Sequence, residues 1–125
     1  MDENDITYRI RVAIFKVCNT LGPGLLESVY EAALKHELKK EGFIVENQVS
    51  IPVLYDNINL DLGFRLDLLI NNKVIVEIKS VESLAPVHHK QLLTYLKLIN
   101  KKLGLLVNFN SDNMASGITR IVYNL

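Results

Sequence analysis

Three side chains near the middle of the chain have the types and spacing to do chemistry. Val74-Ile75-Val76-Glu77-Ile78-Lys79-Ser80 reads as a strand that ends in an acid and a base. Strand side chains alternate, so Glu77 and Lys79 share one face and Ile78 takes the other. Upstream, Asp67 interrupts the apolar run Phe64-Arg65-Leu66-Asp67-Leu68-Leu69-Ile70. A carboxylate in such a run is costly to bury unless something pairs with it. A divalent cation would do so. Mg²⁺ takes hard oxygen ligands, typically one or two carboxylates plus waters and a substrate phosphate. Asp67 and Glu77 would be those ligands. Such an ion polarises a phosphodiester and acidifies a bound water. Lys79 would orient or deprotonate that water, or stabilise the pentavalent transition state. The same residues allow a plainer reading, in which Glu77 and Lys79 form a same-face ion pair on an exposed strand.

The metal reading makes a geometric demand. If Ile70 pairs with Lys73 across a two-residue turn, Asp67 falls opposite Val76 and Glu77 faces away from it. Bringing both acids to one face requires an odd-length connection or a bulge. A three-residue loop with Asn71 or Asn72 in a left-handed conformation would serve.

Two helical segments offer further polar groups. In Gly24-Leu25-Leu26-Glu27-Ser28-Val29-Tyr30, Glu27, Tyr30 and Leu34 share one side of a helix. Glu27 therefore borders the apolar arc, in a first turn that favours an acid anyway. Further on, Gln91 and Tyr95 lie one turn apart beside the stripe Leu92, Leu96, Ile99 and Leu103, and His88 precedes them on the same side. Gln and Tyr can donate hydrogen bonds to phosphate or to a metal-bound water. Neither His88 nor His89 has partners at zinc-ligand spacing.

Other elements must hold these groups. Ile6, Ile10, Ala13, Ile14, Val17 and Leu21 recur at helical spacing, with Asn4 or Asp5 as the expected cap. Gly22-Pro23-Gly24 breaks the chain, and a second helix is expected from about Leu25 to Glu41, stopping at Gly42. Strands follow at about Phe43–Leu54, then, after a turn at Asp56-Asn57, at Ile58–Ile70 with Gly63 as a bulge, and at Lys73–Ser80. Pro86 opens a third helix reaching about Lys101. Leu103–Phe109 suits a buried strand and Ile118–Tyr123 a last one. The order ααβββαβ(β) implies an α/β (α+β) fold: a central mixed sheet, built on an antiparallel meander and flanked by helices.

Composition narrows the class. The chain has 125 residues, 49% of them hydrophobic, which suits one domain over residues 1–125 with a real core. No apolar run is long enough to span a bilayer. The opening Met-Asp-Glu-Asn-Asp is not a signal segment, so a cytoplasmic location is expected. Cys18 is the only cysteine and sits at a core position, which excludes an internal disulfide. The formal net charge of zero argues against diffuse nucleic-acid binding, although acidic metal ligands would offset basic contacts in the sum.

Gly24-x-x-Glu27-x-x-Tyr30 resembles the signature of the GxxExxY proteins, a group within the PD-(D/E)XK nuclease superfamily. The resemblance extends through the Asp67 strand, the Glu77-Ile78-Lys79 strand and the helix after it. Gln91-x-x-x-Tyr95 is similar to a motif of the RecB-type and phage-lambda-type exonucleases. The resemblance implies a restriction-endonuclease-like core. It implies Mg²⁺ or Mn²⁺ held by Asp67 and Glu77 with help from Glu27, a catalytic Lys79, and Gln91, Tyr95, His88 and Tyr30 as substrate-positioning residues. The implied reaction is phosphodiester hydrolysis in DNA, less often RNA. A non-catalytic nucleic-acid- or protein-binding module on the same fold is the alternative, and a homodimer is compatible with either.

Overall fold

A computed structural model describes residues 1–60 and 63–125. The first helix, α1, spans Glu3–Leu21. Its cap is Asp2, not Asn4 or Asp5: Asp2 has extended backbone, and its Oδ1 accepts the Asp5 amide at 2.8 Å. The helix is thus capped two or three residues earlier than the apolar stripe suggests. At the far end, Gly22 has φ of 71° and donates its N–H to the Cys18 carbonyl. The second helix, α2, spans Glu27–Lys40, starting after extended Leu26. Gly42, with φ of 89°, turns the chain out of it.

The strands are shorter than the apolar pattern suggests. β1 is Val45–Ser50, because Pro52 has no N–H to extend the ladder. The stretch expected as one strand from Ile58 to Ile70 is divided. β2 (Leu54–Tyr55) and β3 (Ile58–Asn59) form a separate hairpin, turned by Asp56 and Asn57 with φ of 53° and 63°. β4 begins only at Arg65 and runs to Ile70. Residues 61 and 62 of the expected strand lie outside the described residues. Gly63, expected as a bulge, sits between β3 and β4 with φ of 81°. β5 is Val74–Lys79, α3 is Pro86–Ile99, β6 is Leu103–Asn108 and β7 is Ile118–Val122. Left-handed Asn100 ends α3.

Five strands form a mixed sheet in the order β1-β4-β5-β6-β7. Only β5 and β6 are parallel, joined through α3. Side chains on one face (Leu68, Ile70, Val74, Val76, Ile78, Leu103, Leu105 and Val107) pack against α1 and α2. On the other face, Leu69, Ile75 and Leu106 pack against Leu92, Tyr95 and Leu96 of α3. Gly104 lets α3 come close: a Cβ there would lie 3.0 Å from a Leu92 methyl. Because helices cover both faces, β4, β5 and β6 read as nearly continuous apolar runs. Cys18 is partly buried against the α1–α2 side of the core. Among the described residues, no helix is long and apolar enough to cross a membrane.

Candidate active site

The β4–β5 turn meets the demand the acids make. Leu68 pairs with Val76, Leu69 with Ile75 and Ile70 with Val74, leaving Asn71, Asn72 and Lys73 as a three-residue connection. Both asparagines are left-handed, with φ of 51° and 55°, and the Lys73 N–H returns to the Ile70 carbonyl at 2.9 Å. This register sets Asp67 opposite Glu77, on the α3 side of the sheet. The ladder stops there, and the Asp67 side chain takes over. Its Oδ2 accepts the Ile78 N–H at 2.7 Å. Asp67 is thereby fixed at the carboxyl end of β5, where open α/β sheets place their ligand crevices.

Glu77 is 4% exposed, and its Oε1 has no hydrogen-bond partner. Burial, and then the negative charge of Asp67, push its pKa up to about 9. Lys79 is half-buried. Among the described residues it forms no ion pair, so the plain Glu77–Lys79 pair is not what the structure contains. The arrangement is two crowded carboxyl groups with an uncommitted ammonium close by. An orphaned buried oxygen beside a second carboxylate suits a hard divalent cation, which takes its remaining ligands from water and phosphate. Among the described residues, no cluster of three or more His, Cys, Asp or Glu side chains could cage an ion unaided.

The Gly24, Glu27 and Tyr30 signature works as a clamp on the end of β5. Gly24 has φ of 96°, a conformation that strains other residues. Exposed Glu27 accepts the Ser80 N–H on Oε2 at 3.2 Å, directly after Lys79. Ser80 Oγ donates to the Leu25 carbonyl at 2.9 Å. Tyr30 does not reach a substrate surface. It is fully buried, stacked on Phe109 with ring centroids 4.5 Å apart. Its hydroxyl donates to the Gly22 carbonyl at 2.5 Å and accepts the Leu25 N–H at 3.1 Å, closing the loop that meets Ser80.

On α3, Gln91 and Tyr95 line one open groove, as their spacing suggested. Burial raises the Tyr95 pKa, and the charges of Glu77 and Asp67 raise it further, so its hydroxyl lies within their field. His88 is committed locally: its Nδ1 accepts the Ala85 N–H at 3.0 Å and caps the helix. His89 Nδ1 faces the Ala85 carbonyl at 3.3 Å.

Three residues near the acids escaped the sequence reading. Gln48, in β1, has φ of 51° and no ladder partner, while its neighbours Asn47 and Val49 pair with Leu68 and Leu66. It therefore stands across from Asp67. Its Nε2 donates to Glu31 at 2.7 Å and to Asp67 Oδ1 at 3.3 Å. Glu31 follows Glu27 by one turn, and both line a cleft of about 320 Å³ with Asp67 and Gln48. Burial raises the Glu31 pKa, and the Asp67 charge adds to that against the Gln48 hydrogen bond. Asn108 is buried at the end of β6. It accepts the Val81 N–H and donates to the Val81 carbonyl, fixing the chain just past Lys79. The available signals were the i, i+4 acid pair for Glu31 and a lone amide in an apolar run for Asn108. Nothing marked Gln48, because its role depends on strand register.

A family model described as the PD-(D/E)XK nuclease superfamily matches residues 4–121. No curated protein and no solved structure matches the chain.

Proposed function

The chain belongs to the PD-(D/E)XK nuclease superfamily, and from that premise we propose that it hydrolyses phosphodiester bonds, in DNA before RNA. Membership supports a nuclease-type function in general. The reading takes residues 1–125 as one nuclease-like domain acting in the cytoplasm. The observation that carries it is Glu77: a buried carboxyl with an orphaned oxygen, facing Asp67, beside a Lys79 that forms no ion pair among the described residues.

Asp67 and Glu77 would hold Mg²⁺ or Mn²⁺, with Glu27 assisting through water, since one of its oxygens is already engaged by Ser80. When bound, the cation supplies Lewis-acid polarisation of the phosphate and acidifies a water. The chain's own groups do the rest. Lys79 Nζ donates to the phosphoryl oxygens, where negative charge grows in the transition state. The Gln91 carboxamide and the Tyr95 hydroxyl donate to phosphate or to the attacking water and fix its approach. His88, with Nδ1 occupied, retains Nε2 for a substrate contact at the helix start. Tyr30 acts through the Gly22–Leu25 loop that it braces.

Incubating the purified chain with single- and double-stranded DNA and RNA, with Mg²⁺ or Mn²⁺, tests this. Metal-dependent cutting that Lys79→Ala abolishes is the expected result. Failure to cut any substrate with either metal, or equal cutting by Lys79→Ala, would falsify it. A non-catalytic module, favoured by the formal net charge of zero, would instead show no metal affinity dependent on Asp67 and Glu77 in a calorimetric titration.

A further inference from the structure

We propose that the groove beside Tyr95 is a subsite for an unpaired nucleobase, so that the strand cut at Asp67 and Glu77 is single-stranded or locally melted. This rests on the nuclease reading and names its substrate class. Val53, Phe64, Gln91, Thr94, Tyr95 and Leu98 line the groove, which encloses about 310 Å³. That is near the lower end of small-ligand sites, roughly 300–1,000 Å³. Its walls are apolar, and they hold two large side chains partly in water: Phe64 is 44% and Leu98 38% exposed. Two polar groups interrupt the walls. Among the described residues, neither the Gln91 carboxamide nor the Thr94 hydroxyl has a hydrogen-bond partner within the protein.

An apolar wall beside polar groups that no protein partner engages matches the two sides of a base, a π-face and a hydrogen-bonding edge. Carboxamide and hydroxyl each donate and accept, so the groove would take any base without strong preference. A paired base has both faces stacked and its edge engaged, so a duplex cannot offer it. Continuity places this groove next to the reacting phosphate. Tyr95 belongs to the groove and also packs with Leu69 and Ile75, which share their sheet face with Asp67 and Glu77.

The test uses the Lys79→Ala chain of residues 1–125 with Mg²⁺, titrated by fluorescence anisotropy. The probes are a labelled single-stranded oligonucleotide, the same strand built from abasic sites, and the matching duplex. The strand with bases is expected to bind roughly ten-fold tighter than the other two. Phe64→Ala with Leu98→Ser should erase that advantage and leave abasic binding as it was. The abasic comparison uses an unaltered groove, so it decides the matter even if the double variant misfolds.

Equal binding of base-bearing and abasic strands overturns the subsite, and so does a preference that survives in a folded double variant. A concentration-dependent doubling of mass, abolished by the double variant, overturns it in favour of a homodimer face. The nuclease reading is judged separately, by cutting with the unmutated chain. A chain that cuts without preferring bases loses only the subsite. One that prefers bases but never cuts loses only the chemistry.

Discussion

Glu77 carries a carboxyl group that folding has taken out of water without giving both its oxygens a partner. Its pKa rises from the ordinary 4.5 to about 9, so between those values the native chain holds a proton that the unfolded chain releases. The unfolded state binds fewer protons there, and metal-free stability must fall as pH rises through that window. Urea unfolding with chelator at several pH values from about 5 to about 9 should show the decline. Glu77→Gln should flatten it and stabilise the metal-free protein at the alkaline end, while losing metal affinity. A stability that climbs with pH in the parent and not in the variant would remove Glu77 from this role. Gln48 gives a second expectation. Its left-handed backbone costs about 1–2 kcal/mol in a residue with a Cβ. Gln48→Gly should therefore fold at least as stably, yet bind Mg²⁺ roughly ten-fold more weakly, because Asp67 loses a partner beyond the metal. Isothermal titration beside a melting curve separates the two effects, and equal affinity would make Gln48 merely structural.

At the level of elements, legibility depended on whether a position was set locally. Helix α3 was readable because Pro86, the Leu92–Leu96 stripe and the one-turn spacing of Gln91 and Tyr95 are all local features. The β2–β3 hairpin was legible in its Asp56-Asn57 turn but not as a unit apart from the main sheet. Its Leu54, Tyr55 and Ile58 are exposed, yet as a sequence they continue the apolar texture of a sheet strand. Gln48 and Asp67 were illegible as partners, because only the β1–β4 register brings them together. Tyr30 was misplaced for a related reason: its spacing from Glu27 is correct, but its depth is set by Phe109, far along the chain. Tyr30→Phe would leave the Gly22 carbonyl and the Leu25 N–H without their shared hydroxyl. The expected cost is about 1–3 kcal/mol in chemical denaturation, with a loss of cutting greater than that of stability, since the loop meets Ser80 next to Lys79. A variant as active and stable as the parent would remove the clamp from the account.

For the molecule as a whole, binding carried by base contacts in the groove on α3 predicts a shallow response to salt. Nucleic-acid affinity should fall far less than a thousand-fold between about 50 and about 200 mM salt, because few counterions are released. A steep slope would mean that a basic path, rather than the groove on α3, dominates binding. The two faces of the central sheet bear on the turn at Asn71 and Asn72. Where one face of a strand is wet, a slip of one residue exposes apolar side chains and is rejected. In β4, Leu68, Leu69 and Ile70 are all buried, as are Val74, Ile75 and Val76 opposite them. Apolar patterning discriminates weakly between the native pairing and its neighbour. The choice falls to two left-handed asparagines and to Asn71, whose Oδ1 and N–H both bond Ile44. The site therefore depends on the register this loop sets. Deleting Asn72 tests it by metal titration: a turn that closes on two residues keeps Ile70 opposite Val74, the acids together and metal affinity intact, whereas a slip to Ile70 opposite Ile75 turns Glu77 away and abolishes it.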